Sequence, residues 1–126
     1  MVEITKIFTL VALILSFTAL ADAEQGKSTP KPLLTVASVY SDTLHGKPTA
    51  SGEPYDIHSM TAAHRTFPFN TRLLVMNVKN GKVALVRVND RGPYVFGRGL
   101  DLSRAAWQMI ADKGDGLIRV KIEVVK

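Results

Sequence analysis

The sequence predicts a mainly β domain, several short strands and one helix closed into a small barrel. Three observations carry this. Ile118, Val120, Ile122 and Val124 alternate with Arg119, Lys121 and Glu123, the pattern of a strand with one buried and one wet face. Lys79-Asn80-Gly81 lies between two strand-like runs, residues 72–78 and 82–88, a strong hairpin sign. Helical spacing of apolar residues is convincing only once, at Leu102, Ala105, Ala106, Met109 and Ile110. Short strands left open would expose their edges, so closure is expected.

Taken in order, residues 1–23 read as a signal peptide. Lys6 precedes an apolar run of about 14 residues, short of the roughly 20 that a spanning helix needs. Ala21-Asp22-Ala23 then supplies small residues where a signal peptidase reads. Residues 24–33 are polar and proline-containing, a flexible leader. Residues 34–126 form the domain. Strands are expected at residues 34–40, 72–78, 82–88 and 118–124. Ser103 or Asp101 is placed to cap the helix, and Gly114 follows its end.

Composition narrows the chemistry. A hydrophobic content of 46% with 21% charged residues fits one small globular domain in 126 residues. With no cysteine, the chain has no disulfides, no thiolate metal site, no cysteine nucleophile and no cysteine to carry lipid, so no membrane anchor is expected after signal cleavage. The net charge of +5 favours acidic partners without naming one. His45, His58 and His64 lack metal-ligand spacing, and no phosphate-binding glycine motif or helix-turn-helix pattern is present. Neither a metal nor a cofactor is expected, and export argues against a nucleic-acid partner.

The segments between strands are too polar and glycine-rich for simple core, and loops held by a rigid barrel commonly carry catalytic groups. Four acids and bases stand out there: Glu53 after a tight turn, His64 among small residues, Asp90 before Arg91-Gly92-Pro93, and Asp101 at the start of the helix. Each has a plainer reading. Asp90 fits a turn former accepting backbone N–H bonds, and Asp101 a helix cap. Glu53 fits a surface loop acid, and His64 a hydrogen-bonded structural histidine. Tyr40, Tyr55, Tyr94 and Phe96 are candidates to face sugar, or else core aromatics.

In order along the chain stand Thr-Ala-Ser-Gly-Glu at 49–53, Thr-Ala-Ala-His at 61–64, Pro-Phe-Asn-Thr at 68–71, Val-Asn-Asp-Arg-Gly-Pro at 88–93 and Asp-Leu-Ser-Arg-Ala-Ala at 101–106. This series resembles the rare lipoprotein A (RlpA) family over nearly all of residues 35–125. The resemblance implies a six-stranded double-psi β-barrel with one short α-helix and a substrate groove across one face. It further implies a lytic transglycosylase acting on peptidoglycan glycan strands, preferring those without stem peptides, in the periplasm or outside the cell. The family's functional trio falls on Glu53, His64 and Asp90, with Tyr40, Arg91, Asp101 and Tyr94 as substrate-binding candidates. Val39-Tyr40-Ser41 keeps only the Tyr of the family's first motif. Asn70 stands where Gly is usual, and Asn also tolerates left-handed backbone. An expansin-like, non-catalytic wall binder on the same barrel would be marked by loss of one carboxylate, and here neither is lost.

For such chemistry one acid protonates the leaving glycosidic oxygen and then takes the proton of the muramyl 6-hydroxyl. Asp90 is assigned this role, which requires it to hold a proton although a free Asp titrates near pH 3.9. If Glu53 lies close, like charge favours one proton shared between the two carboxylates. His64 would then orient one of them or stabilise charge.

Overall fold

The computed structural model describes residues 31–126. The signal peptide assigned to residues 1–23, and the leader as far as residue 30, lie outside the described residues. Six strands close into a barrel: β1 (Leu33–Val39), β2 (Thr61–Ala63), β3 (Arg72–Asn77), β4 (Val83–Asp90), β5 (Leu100–Leu102) and β6 (Ile118–Val125). One α-helix, α1 (Arg104–Ile110), follows β5. Around the barrel the order is β1-β5-β2-β4-β3-β6. The pairs β1–β5 and β2–β4 are parallel and the others antiparallel. Parallel neighbours need crossover connections: the chain from residue 40 to 99 joins β1 to β5, and residues 64–82, which carry β3, join β2 to β4. Among the described residues the fold is therefore the expected mainly β closed barrel with one α-helix.

The alternation read in the sequence builds the interior. Val120 and Ile122 of β6, Leu73 and Val75 of β3, and Val86 and Val88 of β4 point inward and are buried. The hairpin forms as expected, but its turn takes in Val78 and Lys82, closed by Asn77 N–H to Lys82 O (2.9 Å), with Gly81 at φ 74°. β1 begins one residue earlier than expected and stops before Tyr40. β2 and β5 have only three residues each, too short to register as a pattern.

The helix departs from the expectation at both ends, and Ser103 is the one of its two expected caps that serves. α1 begins at Arg104 because Leu100–Leu102 is committed to the barrel between β1 and β2. Ser103, not Asp101, is its cap: the Ser103 hydroxyl accepts the Ala106 N–H (3.3 Å), the usual N-terminal arrangement. Gly114 does not end it either, since the chain turns extended at Ala111. Two asparagines from the hairpin close that end instead. Asn77 Nδ2 and Asn80 Nδ2 both donate to Ile110 O (2.8 and 2.9 Å). Asn77 is buried, and its Oδ1 also accepts the Lys79 N–H (3.0 Å). Asn77→Ala is expected to cost about 2 kcal/mol, because it leaves buried polar groups short of partners. A shift in the denaturant midpoint at unchanged slope will measure it.

Candidate active site

Asp90 owes its direction to a bulge. Along β4, Ala84, Val86 and Val88 point into the core, and strict alternation would send residue 90 after them. The pairing with β2 slips instead: Thr61 opposes Arg87, Ala62 opposes Val88 and Ala63 opposes Asp90. Asn89 is the extra residue: its amide joins Arg87 on Glu53, and the slip sets Asp90 opposite Ala63 on the outer face, as bulges near functional sites commonly do. The row continues across the barrel, with Ala63 opposite Asp101 and Asp101 opposite Ser38. Ser38, Asp101, Ala63 and Asp90 thus share one outer face. Small Ala63 separates the two acids, and Tyr40 and Tyr55 pack against it as a second apolar cluster.

The Asp90 carboxylate is held on both oxygens. Oδ1 accepts the N–H groups of Ala50 and Arg91, each at 2.8 Å. Oδ2 accepts the Tyr40 hydroxyl at 2.5 Å. Burial first, and then the bond to Asp90, push the Tyr40 phenol far above its ordinary range, so it stays protonated and donates.

Glu53 comes in on the turn that also supplies Ala50. Its two oxygens take both terminal nitrogens of Arg87 (2.8 Å each), and Oε2 also accepts from Asn89 Nδ2 (3.1 Å). Hydrogen bonds from Arg87 and then Asn89 hold its carboxyl down to about 2. The expectation of one proton shared between Glu53 and Asp90 is corrected here, because a carboxylate forked by arginine stays ionised. Asn70 supports that fork. Its Oδ1 accepts from Arg87 Nη1 (3.0 Å), and its backbone sits at φ 72°, the left-handed conformation foreseen for it. Arg87 and Asn89 escaped the sequence reading. Two polar residues in succession at the end of an alternating strand were the available sign of a bulge.

His64 follows β2, and its N–H donates to Asp90 O (3.2 Å). Its ring stacks on Phe67 at 3.9 Å, and Nδ1 accepts the N–H groups of Thr66 (3.2 Å) and Phe67 (3.1 Å). Burial, with Arg91 and Arg65 nearby, lowers its pKa. A neutral ring whose Nδ1 accepts carries its proton on Nε2. The side chain orients neither carboxylate; it offers an N–H donor.

The remaining candidates divide. Arg91 Nη1 donates to Phe67 O (2.9 Å) while its guanidinium lies over the Phe69 ring at 4.0 Å, so it straps down the loop that carries His64. Asp101 accepts the Ser38 hydroxyl. Tyr94 is 77% exposed, in a loop that Arg65 braces through Pro93 O (2.7 Å) and Val95 O (3.3 Å). Glu53 and His64, distant in sequence, both reach the strand end that carries Asp90, Glu53 through the Asn89 amide and His64 through its backbone N–H. Away from them, His45 Nδ1 accepts the Ile57 N–H (3.2 Å).

The fold, a closed barrel of six mixed strands with a single α-helix among the described residues, is a double-psi β-barrel. Residues 35–122 match the family described as lytic transglycolase, and the chain belongs to that family. It is 47% identical over 92 residues to a probable endolytic peptidoglycan transglycosylase RlpA of Nostoc sp., covering 71% of this chain and 25% of that protein. A protein with the same name from Aquifex aeolicus is 46% identical over 100 residues, 79% of this chain and 44% of its own length. The endolytic peptidoglycan transglycosylase RlpA of Pseudomonas aeruginosa is 46% identical, over 72% of this chain and 27% of its own. The chain thus spans less than half the length of these relatives. Among solved structures, an expansin of Clavibacter michiganensis superposes with TM-score 0.62 at 22% identity, covering 76% of this chain and 51% of that one. A Streptomyces papain inhibitor does so with TM-score 0.62 at 23% identity, over 78% and 97%. These likenesses concern the fold.

Proposed function

We propose that this domain is a lytic transglycosylase that cleaves the MurNAc–GlcNAc bonds of peptidoglycan glycan strands and leaves 1,6-anhydro-MurNAc ends. The observation that carries the reading is Asp90, turned outward by the bulge at Asn89 and held by Tyr40, Ala50 and Arg91 beside a neutral histidine. The names of the relatives support the substrate class. Asp90 delivers its proton to the glycosidic oxygen as the bond to the muramyl anomeric carbon breaks. The resulting carboxylate then takes the proton of the muramyl 6-hydroxyl while that oxygen closes on the same carbon. No water is consumed. An internal nucleophile is already in place, so a second carboxylate to position water is unnecessary.

Glu53 keeps its charge, balances Arg87 and anchors the turn that brings the Ala50 N–H to Asp90. His64 donates from Nε2 to a sugar oxygen. Tyr94 and Phe96, exposed on the braced loop, offer faces on which a pyranose ring stacks. Asp101 binds sugar hydroxyls farther along the row. Arg91 acts through the loop it straps. The protein works in the bacterial envelope or outside the cell, delivered there by the signal peptide of residues 1–23. Digestion of purified glycan strands with and without stem peptides, read by mass, tests this. Anhydro ends released faster from stem-free strands are expected; strands bound but left intact would favour an expansin-like binder.

A further inference from the structure

We propose that Tyr40 is the positioning residue for Asp90: its hydroxyl fixes the reactive oxygen of the carboxylate and governs how readily that oxygen gives up its proton. The proposal rests on the reading of Asp90 as the acid–base group. Oδ1 is taken up by two amide N–H groups, so a proton on this carboxyl belongs on Oδ2. There Tyr40 fixes one lone-pair direction and leaves the other for the substrate. Its ring cannot swing away, since it is buried and stacked on Tyr55 at 4.3 Å and 14°. Tyr55 is itself clamped, its hydroxyl accepting the N–H of Arg104 at the start of α1 (3.0 Å). A continuous, packed path therefore runs from the helix to Asp90.

As Asp90 parts with its proton, charge gathers on Oδ2 and the phenol bond becomes charge-assisted, roughly twice as strong as a neutral one. That gain arises in the transition state and not in the bound ground state, so it speeds the chemical step. The charged groups around the pair leave this role to Tyr40. The Arg91 guanidinium is drawn off to Phe67 O and the Phe69 ring. Glu53 and Arg87 balance each other, as do Asp42 and Arg104 beyond Tyr55. His64 is neutral, and Asp101, across Ala63, adds only repulsion.

Tyr40→Phe keeps the ring and the stack and removes only the hydroxyl. Carbon-13 NMR titration of the Asp90 carboxyl is expected to move its midpoint up by about one pH unit, since a donor to the ionised form is lost. The alkaline limb of kcat/KM should move the same way, with kcat down about tenfold and KM for glycan unchanged. Tyr55→Phe, which removes a hydroxyl that does not touch Asp90, should lower Tm and leave the midpoint where it was. An unmoved midpoint in Tyr40→Phe, or equal shifts in both variants, overturns the proposal. A shifted midpoint in a protein whose parent releases no anhydro ends would uphold the Tyr40–Asp90 coupling and reject the transglycosylase reading.

Discussion

Asp90→Asn is expected to abolish the release of anhydro ends while leaving the fold and glycan binding in place. The amide can turn its oxygen to the Ala50 and Arg91 N–H groups and its nitrogen to the Tyr40 oxygen, so every bond the carboxylate makes has a replacement. What it cannot do is carry a proton. One positioned proton-transfer group is worth about 100- to 10,000-fold, a loss plain in an ordinary digest at unchanged circular dichroism. Asp101→Asn is the comparison. It sits on the same outer row, two strands away, already engaged by Ser38. It should weaken glycan binding and still form anhydro ends. An inactive Asp101→Asn beside an active Asp90→Asn would reverse the assignment of the acid.

Glu53→Gln should come next in severity, with a loss of about a hundredfold, the scale seen when one electrostatic group is removed from a reaction site. An amide cannot take both arms of Arg87, so the turn that holds Asp90 loosens. Arg87 is also left uncompensated on the face where the sugar gathers positive charge. The effect on stability is smaller and depends on pH. Glu53 titrates at about 2 when folded against 4.5 as a free group, so its contribution is complete above pH 4.5 and vanishes as pH falls through 2. The pair is partly exposed, so this amounts to about 1 kcal/mol and not the full linkage value. Urea unfolding of parent and variant at pH 6 and pH 2.5 will resolve it: the gap should be present at pH 6 and narrow at pH 2.5. An equal gap at both values would mean that Glu53 does not act through its charge.

The barrel was legible where periodicity is long enough to read. β6 repeats its inward residues four times, and the Asn80-Gly81 turn announces the β3–β4 hairpin. β2 and β5 were not legible, because three residues cannot show an alternation. Their strand character comes from neighbours on both sides, which also converts Leu100–Leu102 from helix start to strand and passes the cap to Ser103. The candidate site was legible as residue types in order, not as geometry. Glu53, His64 and Asp90 were found by motif, but their working states depend on partners from elsewhere in the chain. Arg87 keeps Glu53 ionised, the N–H groups of Thr66 and Phe67 fix the His64 tautomer, and the slip at Asn89 brings Asp90 out of the core.

In the proposed reaction the muramyl 6-hydroxyl, and not water, closes on the anomeric carbon. Digestion of stem-free glycan strands in oxygen-18 water, followed by mass spectrometry of the new ends, tests it most directly. The expected ends are lighter by one water than a reducing sugar and free of label. New reducing ends carrying oxygen-18 would contradict it, and would make the domain a hydrolase.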